Sequence, residues 1–262
     1  HYSSGFLNAN DYINVEQKLF SQGYYDSSLS DPSALVSPVV QILANQRAGT
    51  LSASDATAQI NALRNNDVRN DLTKYFYQKS VNQQYAINFR GGSASSDYFF
   101  SLGDDHDLSN QVGNKNGRIS IKSLINFYPL KNLQLTAGIN YTQTTSTNNS
   151  TLCGVASYIN PYTQLADANG NPLAISTDYS AGYKASMTSK GLLDWQYKPL
   201  AEIGLLDNTT KGVDNLINLG ARYTFLQGLS ADVKYQYEKS SIVAQNDNSV
   251  DTYYARNLIN QY

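Results

Sequence analysis

The sequence predicts an all-β fold with minor helical content in its loops, arranged as an antiparallel, up-and-down segment of a transmembrane β-barrel. Three observations support this prediction. Six segments alternate apolar and polar residues, their connections alternate between short and long, and aromatic residues gather at the segment ends. Because successive side chains of a strand point to opposite faces, each segment has one apolar face and one polar face.

The six predicted strands cover residues 83–90, 97–104, 117–128, 133–145, 214–225 and 229–240. The fourth strand shows the alternation most plainly. Its apolar face carries Leu133, Leu135, Ala137, Ile139 and Tyr141. The residues between them are Gln, Thr, Gly and Asn, so the opposite face of the same strand is polar. A half-apolar strand of this length is long enough to cross a hydrocarbon layer when it is tilted.

The connections between the predicted strands contain about 6, 12, 4, 68 and 3 residues. The short ones have turn chemistry, in Gly91-Gly92-Ser93, residues 129–132 and residues 226–228. Outer-membrane barrels have short turns at one end and long external loops at the other. Aromatic residues lie at both ends of the strands, as two interfacial girdles would: Phe127, Tyr128 and Phe225 beside tight turns, and Tyr141, Tyr235 and Tyr237 toward the long loops.

The first 80 residues and the 146–213 segment follow a different pattern. Residues 54–75 read as a helix that Ser52 or Ser54 caps, and residues 39–45 as a shorter helix after Pro38. The 146–213 segment is loop-like, and its Asn169-Gly170 pair suits a tight hairpin turn.

Composition excludes several functional classes. Charged residues make up 15% of the chain and the net charge is −2, which argues against a nucleic-acid partner. A single cysteine, Cys153, and two histidines leave no Cys-rich metal site, no internal disulfide and little material for histidine catalysis. No triad, phosphate loop or paired carboxylates stand out. We therefore expect no catalytic, cofactor or metal residues, and a protein that is not an enzyme.

Several segments, in this order and spacing, resemble the SusC/RagA-type TonB-dependent transporters of Bacteroidota. In that family one strand ends in Gly-Gly-Ser, as at residues 91–93, and the next begins with Tyr-Tyr-x-Ser, close to Tyr98-Phe99-Phe100-Ser101 here. Further similar segments are residues 11–13, 23–26, 118–126, 158–162, 165–171 and 251–257. The resemblance covers most of the chain.

The resemblance implies a bacterial, multi-pass outer-membrane protein that imports oligosaccharides or peptides. Its implied partners are a SusD-type surface lipoprotein, the TonB complex and outer-membrane lipid. Family members have a plug, a TonB box and about 22 strands, so we expect these residues to be a barrel fragment of about six strands. The expected division is 1–82 external loop with helix, 83–145 strands, 146–213 long external loop, 214–240 hairpin and 241–262 start of the next external loop.

Six aromatic residues in the long loop are candidates for contact with the ligand or the lipoprotein lid: Trp195, Tyr197, Tyr158, Tyr162, Tyr179 and Tyr183. The alternative for each is packing in the loop's own core. Residues 104–107 offer three carboxylates for a cation, but we favour the simpler interpretation, a solvated start of an external loop. Residues 167–171 lack the spacing of a calcium loop, which favours a hairpin turn.

Two other functions remain open at this point. A passive, porin-like channel would share the strand pattern. A soluble all-β adhesin or carbohydrate-binding module would bury Tyr85, Ile139, Ala221 and Val233 between two sheets, whereas the barrel presents them to lipid. Six strands leave two bare edges, so we also predict that this piece alone does not close into a barrel.

Overall fold

The computed structural model describes residues 7–151 and 159–262, which form two compact units. The sheet unit comprises residues 79–149 and 207–247. The helical unit comprises the described residues of 1–78, 150–206 and 248–262.

Six antiparallel strands form one sheet in the sheet unit. They are β1 (Val81–Gly92), β2 (Ser96–Leu108), β3 (Asn114–Leu130), β4 (Leu133–Asn148), β5 (Leu206–Leu226) and β6 (Leu229–Asn248). Their order in the sheet is their order in the sequence, which confirms the predicted up-and-down arrangement of six strands. Within the described residues the sheet is open, with β1 and β6 as its edges, as six strands without closure should be.

The strands are longer than the apolar alternation indicates, chiefly at the ends away from the tight turns. β5 begins at Leu206 rather than 214, and β6 continues to Asn248 rather than 240. The extension of β5 is mostly polar, with Ser146 of β4 paired to Thr210. That of β6 groups Ile242, Val243 and Ala244 together instead of alternating them with polar residues. Backbone hydrogen bonds sustain a ladder whatever its side chains are, so a pattern based on apolar residues ends too early. Residues 146–148, 206–213 and 241–248 therefore belong to strands rather than loops.

The connection between β2 and β3 is also shorter than expected, because residues 104–107 are part of β2. They pair with residues 116–119 of β3, and the Asp105 carboxylate accepts a hydrogen bond of 2.7 Å from Nε of Arg118. Residues 104–107 therefore belong to a strand and not to the start of a loop as predicted, and this ion pair links them to β3.

Seven helices lie in the helical unit within the described residues. They are α1 (Ala9–Ser21), α2 (Asp26–Leu29), α3 (Pro38–Arg47), α4 (Ala53–Arg64), α5 (Val68–Tyr75), α6 (Ala181–Thr188) and α7 (Tyr253–Gln261). The helix predicted over 54–75 is two helices, α4 and α5. Ser52 caps α4, and Asp67 caps α5 by accepting a hydrogen bond from the Arg69 amide. Because Asp67 is the N-cap of a new helix, the predicted single helix is divided into α4, which ends at Arg64, and α5, which begins at Val68.

Two apolar clusters form the core of the helical unit. The first contains Val68, Phe76, Leu165, Ile175 and Tyr197. The second contains Ala9, Ile13, Val39, Ile60 and Tyr162. Each cluster therefore joins the first helices to the 159–200 segment. The Asn169-Gly170 turn has the predicted hairpin form, because Ala166 pairs with Pro172 and Gly170 has a φ of 86°.

Candidate functional site

The sheet has one face rich in apolar residues, which we call the apolar face. Along β3 it carries Ile119, Ile121, Ser123, Ile125 and Phe127. The strand register continues this face on the neighbouring strands. Ser123 of β3 pairs with Phe100 of β2 on one side and with Ile139 of β4 on the other. Ile139 in turn pairs with Ile217 of β5. The face is therefore continuous from β2 to β5.

The apolar face is exposed in this chain. Tyr85, Ile139 and Val233 retain 59%, 50% and 69% of their accessible surface, and Ala221 is half-buried. A soluble sandwich would bury all four against a second sheet. The described residues contain one sheet, so no second sheet covers this face.

The opposite face, which we call the polar face, carries paired charges and amides. Arg118 pairs with Asp105 at 2.6 Å, and Arg222 pairs with Asp232 at 2.7 Å. A hydrogen-bond network surrounds Asp97, whose carboxylate accepts from the Asn126 amide and the Tyr128 hydroxyl, both at 2.8 Å. These pairs join neighbouring strands, so the polar face is internally connected rather than a set of isolated polar groups.

A separate cavity of about 420 Å³ lies in the helical unit. We call it the tyrosine pocket, because its lining includes Tyr12, Glu16, Tyr24, Tyr25, Ser37 and Tyr162. Its volume falls within the range of small-molecule sites, which is about 300–1,000 Å³. Its described lining contains one carboxylate, that of Glu16, and neither lysine nor arginine.

The ends of two helices place the side chains of this pocket. Gly23, with a φ of 76°, ends α1: its amide donates to the Phe20 carbonyl, and the Tyr24 amide donates to the Leu19 carbonyl. This is a Schellman motif, and it turns Tyr24 and Tyr25 back toward the helix. On the other side, Ser37 caps α3 by accepting from the Val40 amide at 3.2 Å.

Glu16 is the buried acid of the tyrosine pocket, with 4% of its surface exposed. The Tyr162 hydroxyl donates to its Oε2 at 2.9 Å, and the Ser37 hydroxyl also hydrogen-bonds its carboxyl. Burial raises the pKa of the Glu16 carboxyl, and the two hydroxyls oppose part of that rise. Burial, with a smaller contribution from the Glu16 charge, also raises the pKa of Tyr12, Tyr25 and Tyr162. When Glu16 is ionised, its charge therefore acts on the tyrosine hydroxyls around the pocket.

A buried lysine joins α6 to α7. Nζ of Lys184 donates to the Thr177 and Tyr253 hydroxyls, each at 3.1 Å, and lies 4.9 Å from the centre of the Tyr253 ring. The Tyr253 hydroxyl in turn donates to Asp178. Burial lowers the pKa of Lys184, and the nearby Asp178 charge opposes that change. All of these polar groups have partners, which marks the cluster as a structural link.

The predicted aromatic residues separate into three groups. Tyr162 and Tyr197 are buried in the two apolar clusters, and Trp195 is 6% exposed, with its indole N–H donating to Asn257 at 2.8 Å. Their packing supports the alternative that they build the core of the loop. Tyr179 and Tyr183 are more accessible, and their rings lie 5.3 Å apart. Tyr158 and Cys153 lie outside the described residues.

Sequence reasoning missed Glu16 and the tyrosines of α1 and its C-terminal turn. The signal in the sequence was the position of the glutamate: Glu16 follows Ile13 by three residues and so falls on the apolar stripe of a helix. An acid in such a position is rarely buried without a partner.

The part of the chain that the structure describes has no cluster of three His, Cys, Asp or Glu side chains suited to a metal ion. No helix within 7–151 and 159–262 is long and apolar enough to cross a membrane.

No protein-family model matches the chain, and no curated protein matches it. Among solved structures, a chain of the RagAB peptide importer in its closed-closed state matches with a TM-score of 0.56 and 16% sequence identity. The match covers 72% of this chain and 21% of that chain, so the protein described here spans about a fifth of that structure's length. At this identity, the likeness shows that this chain shares its fold with part of that chain.

Proposed function

We propose that this chain is part of an outer-membrane, TonB-dependent active transporter that imports oligosaccharides or peptides together with a SusD-type lipoprotein. The observation that carries the proposal is the exposed apolar face of the six-stranded sheet. A large exposed apolar surface on a folded protein marks contact with a membrane or a partner. The fold shared with a chain of a peptide importer supports the membrane as that contact.

The height of the apolar face agrees with a membrane band. From Ile119 to Phe127 the face extends over eight residue steps of β3. At about 3.4 Å per residue, that is roughly 27 Å along the strand. A strand tilt of about 40° reduces it to roughly 21 Å along the membrane normal, close to the band of about 25 Å in outer-membrane barrels.

The polar face is suited to a water-filled interior. The pairs Arg118–Asp105 and Arg222–Asp232 would be costly in lipid but stable in an aqueous lumen or against a plug domain. Alternation of lipid-facing and lumen-facing residues along each strand is the arrangement that transmembrane barrels require. In this proposal the chain works by binding and gating, with no chemical step and no cofactor.

The peptide substrate has more support than the oligosaccharide, since a solved structure that shares this fold is named as a peptide importer. A passive, porin-like channel is the main competing function. It differs from the proposal in energy coupling, so the two functions are separated by whether uptake needs the proton-motive force.

Uptake by cells carrying the full-length protein tests the proposal. We expect labelled peptides to accumulate against their gradient, and the accumulation to stop when the proton-motive force is dissipated. Unlabelled oligosaccharides in excess show which substrate class competes. Uptake that stops at equilibrium and continues without the proton-motive force would replace active transport with a passive channel.

A further inference from the structure

We propose that the tyrosine pocket binds a primary ammonium group, of the kind that a lysine side chain carries, between the Glu16 carboxylate and the surrounding tyrosine rings. This site is additional to the proposed transport role and does not depend on it, because every group it needs belongs to the helical unit.

Charge is the first argument for a cationic ligand. Glu16 is almost fully buried, and its described partners in the pocket are the neutral hydroxyls of Tyr162 and Ser37. The lining contains no lysine or arginine among the described residues, so the carboxylate has no compensating cation there. A buried acid in this state either holds a proton or is stabilised by a cation that enters the cavity.

The tyrosine rings of the pocket also favour a cationic ligand. Tyr12 and Tyr162 lie with their centroids 6.0 Å apart, and Tyr24 and Tyr25 form an edge-to-face pair at 5.1 Å. Tyrosine faces attract cations within about 6 Å of the ring centre, and the ammonium of a lysine side chain is among the cations they attract. Tyr24 is 69% exposed, so this ring is available to an incoming ligand without displacing a packed side chain.

The third argument is the size and polarity of the cavity. About 420 Å³ accommodates an alkyl ammonium with its chain. Leu35, Val36 and Leu63 supply apolar surface for the methylene groups of that chain. Asn66, Asn160 and Gln164 add neutral amides that would accept or donate hydrogen bonds to a peptide backbone.

Calorimetric titration of the purified full-length protein with two blocked amino acids tests the proposal. The probes are N-acetyl-lysine methylamide and its neutral analogue N-acetyl-norleucine methylamide. We expect the lysine probe to bind at least tenfold more tightly than the norleucine probe. We also expect hydrogen exchange to show protection of α1 when the lysine probe is bound, which locates the site.

Two variants and one control assign the effect to the pocket. Glu16→Gln keeps the shape of the side chain and its ability to accept from Tyr162, and should weaken binding of the lysine probe at least tenfold. Tyr24→Leu alters an exposed ring and should weaken binding several-fold while leaving the fold intact. Glu238→Gln makes the same chemical change on β6, outside the pocket, and should leave binding unchanged.

Three results would overturn the proposal. The first is equal binding of the two probes, and the second is no detectable binding of the lysine probe. The third is binding that Glu16→Gln and Tyr24→Leu leave unchanged. Since Tyr24→Leu changes a mostly exposed side chain, it keeps the test decisive even if Glu16→Gln disturbs the packing of α1. Peptide uptake is measured separately, so failure of this site leaves the transport proposal standing.

Discussion

A lysine at the centre of the apolar face tests the membrane assignment quantitatively. Ile139 lies in the middle of the five positions that span this face, opposite Ser123 on β3 and Ile217 on β5. Half of its surface is exposed. If that surface meets the middle of a bilayer, Ile139→Lys should destabilise the folded protein in membranes by about 2–4 kcal/mol. That is roughly a 30- to 900-fold change in the folding equilibrium, at about 1.36 kcal/mol per factor of ten.

The matched control is Thr142→Lys, three residues along the same strand but on the polar face. Thr142 pairs directly with Asp214 of β5, so the new lysine would lie beside an opposite charge. We expect a change within about 0.5 kcal/mol, as for an ordinary surface substitution.

Urea unfolding of the full-length protein in lipid vesicles measures both variants. We expect a large loss of stability for Ile139→Lys and almost none for Thr142→Lys. Similar, small losses for the two variants would show that Ile139 does not face hydrocarbon. A larger loss for Thr142→Lys would mean that the two faces are assigned the wrong way round.

Three further predictions concern individual side chains. Burial raises the pKa of Glu16, so the folded protein takes up a proton at this carboxyl more readily than the unfolded chain does. The contribution of Glu16 to the free energy of unfolding therefore decreases as pH rises from about 4.5 through the pKa of the folded state. Hydrogen exchange in α1 should therefore show Glu16→Gln gaining stability over the wild type from pH 4 to 8; a constant difference would contradict this. A Cβ at Gly92 would lie 3.1 Å from the Ser96 carbonyl oxygen and 3.4 Å from Cα of Asp97, both backbone atoms, whereas one at Gly117 meets only the Asp105 carbonyl oxygen at 3.8 Å. Gly92→Ala should therefore be about 1 kcal/mol less stable than Gly117→Ala in urea unfolding. Equal stability would show that the backbone of this turn relaxes without cost. Trp195→Phe removes the hydrogen bond to α7, worth about 1 kcal/mol, and should speed amide exchange in α7 but not in α1; unchanged exchange in α7 would refute the link.

The sheet was predictable because its signal is local. Period-two alternation in segments such as 133–142 defines the faces, and Gly91-Gly92-Ser93 marks a turn without knowledge of any distant contact. The ends of the strands were not predictable, because the extensions of β5 and β6 do not alternate apolar and polar residues and depend on pairing with neighbouring strands. That pairing leaves no apolar pattern in the sequence.

The helical unit was harder to predict, for a physical reason. α1 presents its buried stripe through Ala9, Ile13 and Glu16, and the glutamate interrupts the apolar pattern. The partner of this buried acid, the Tyr162 hydroxyl that donates to it, lies 146 residues away in the sequence, so only the folded structure reveals the pair. α6 and α7 likewise depend on caps at Ser180 and Thr252 and on the contact between Lys184 and Tyr253, so local patterns were too weak to show them.

The measurement that most directly tests the central claim is quenching of a fluorescent label by brominated lipids. Labels would be attached to single cysteines at Val233 and Lys234, neighbours on β6 that point to opposite faces, in the full-length protein with Cys153 replaced by serine. If the apolar face contacts lipid, the label at position 233 is quenched strongly by bromines near the bilayer centre, and the label at 234 is not. Equal quenching at both positions, or none at 233, would contradict the account.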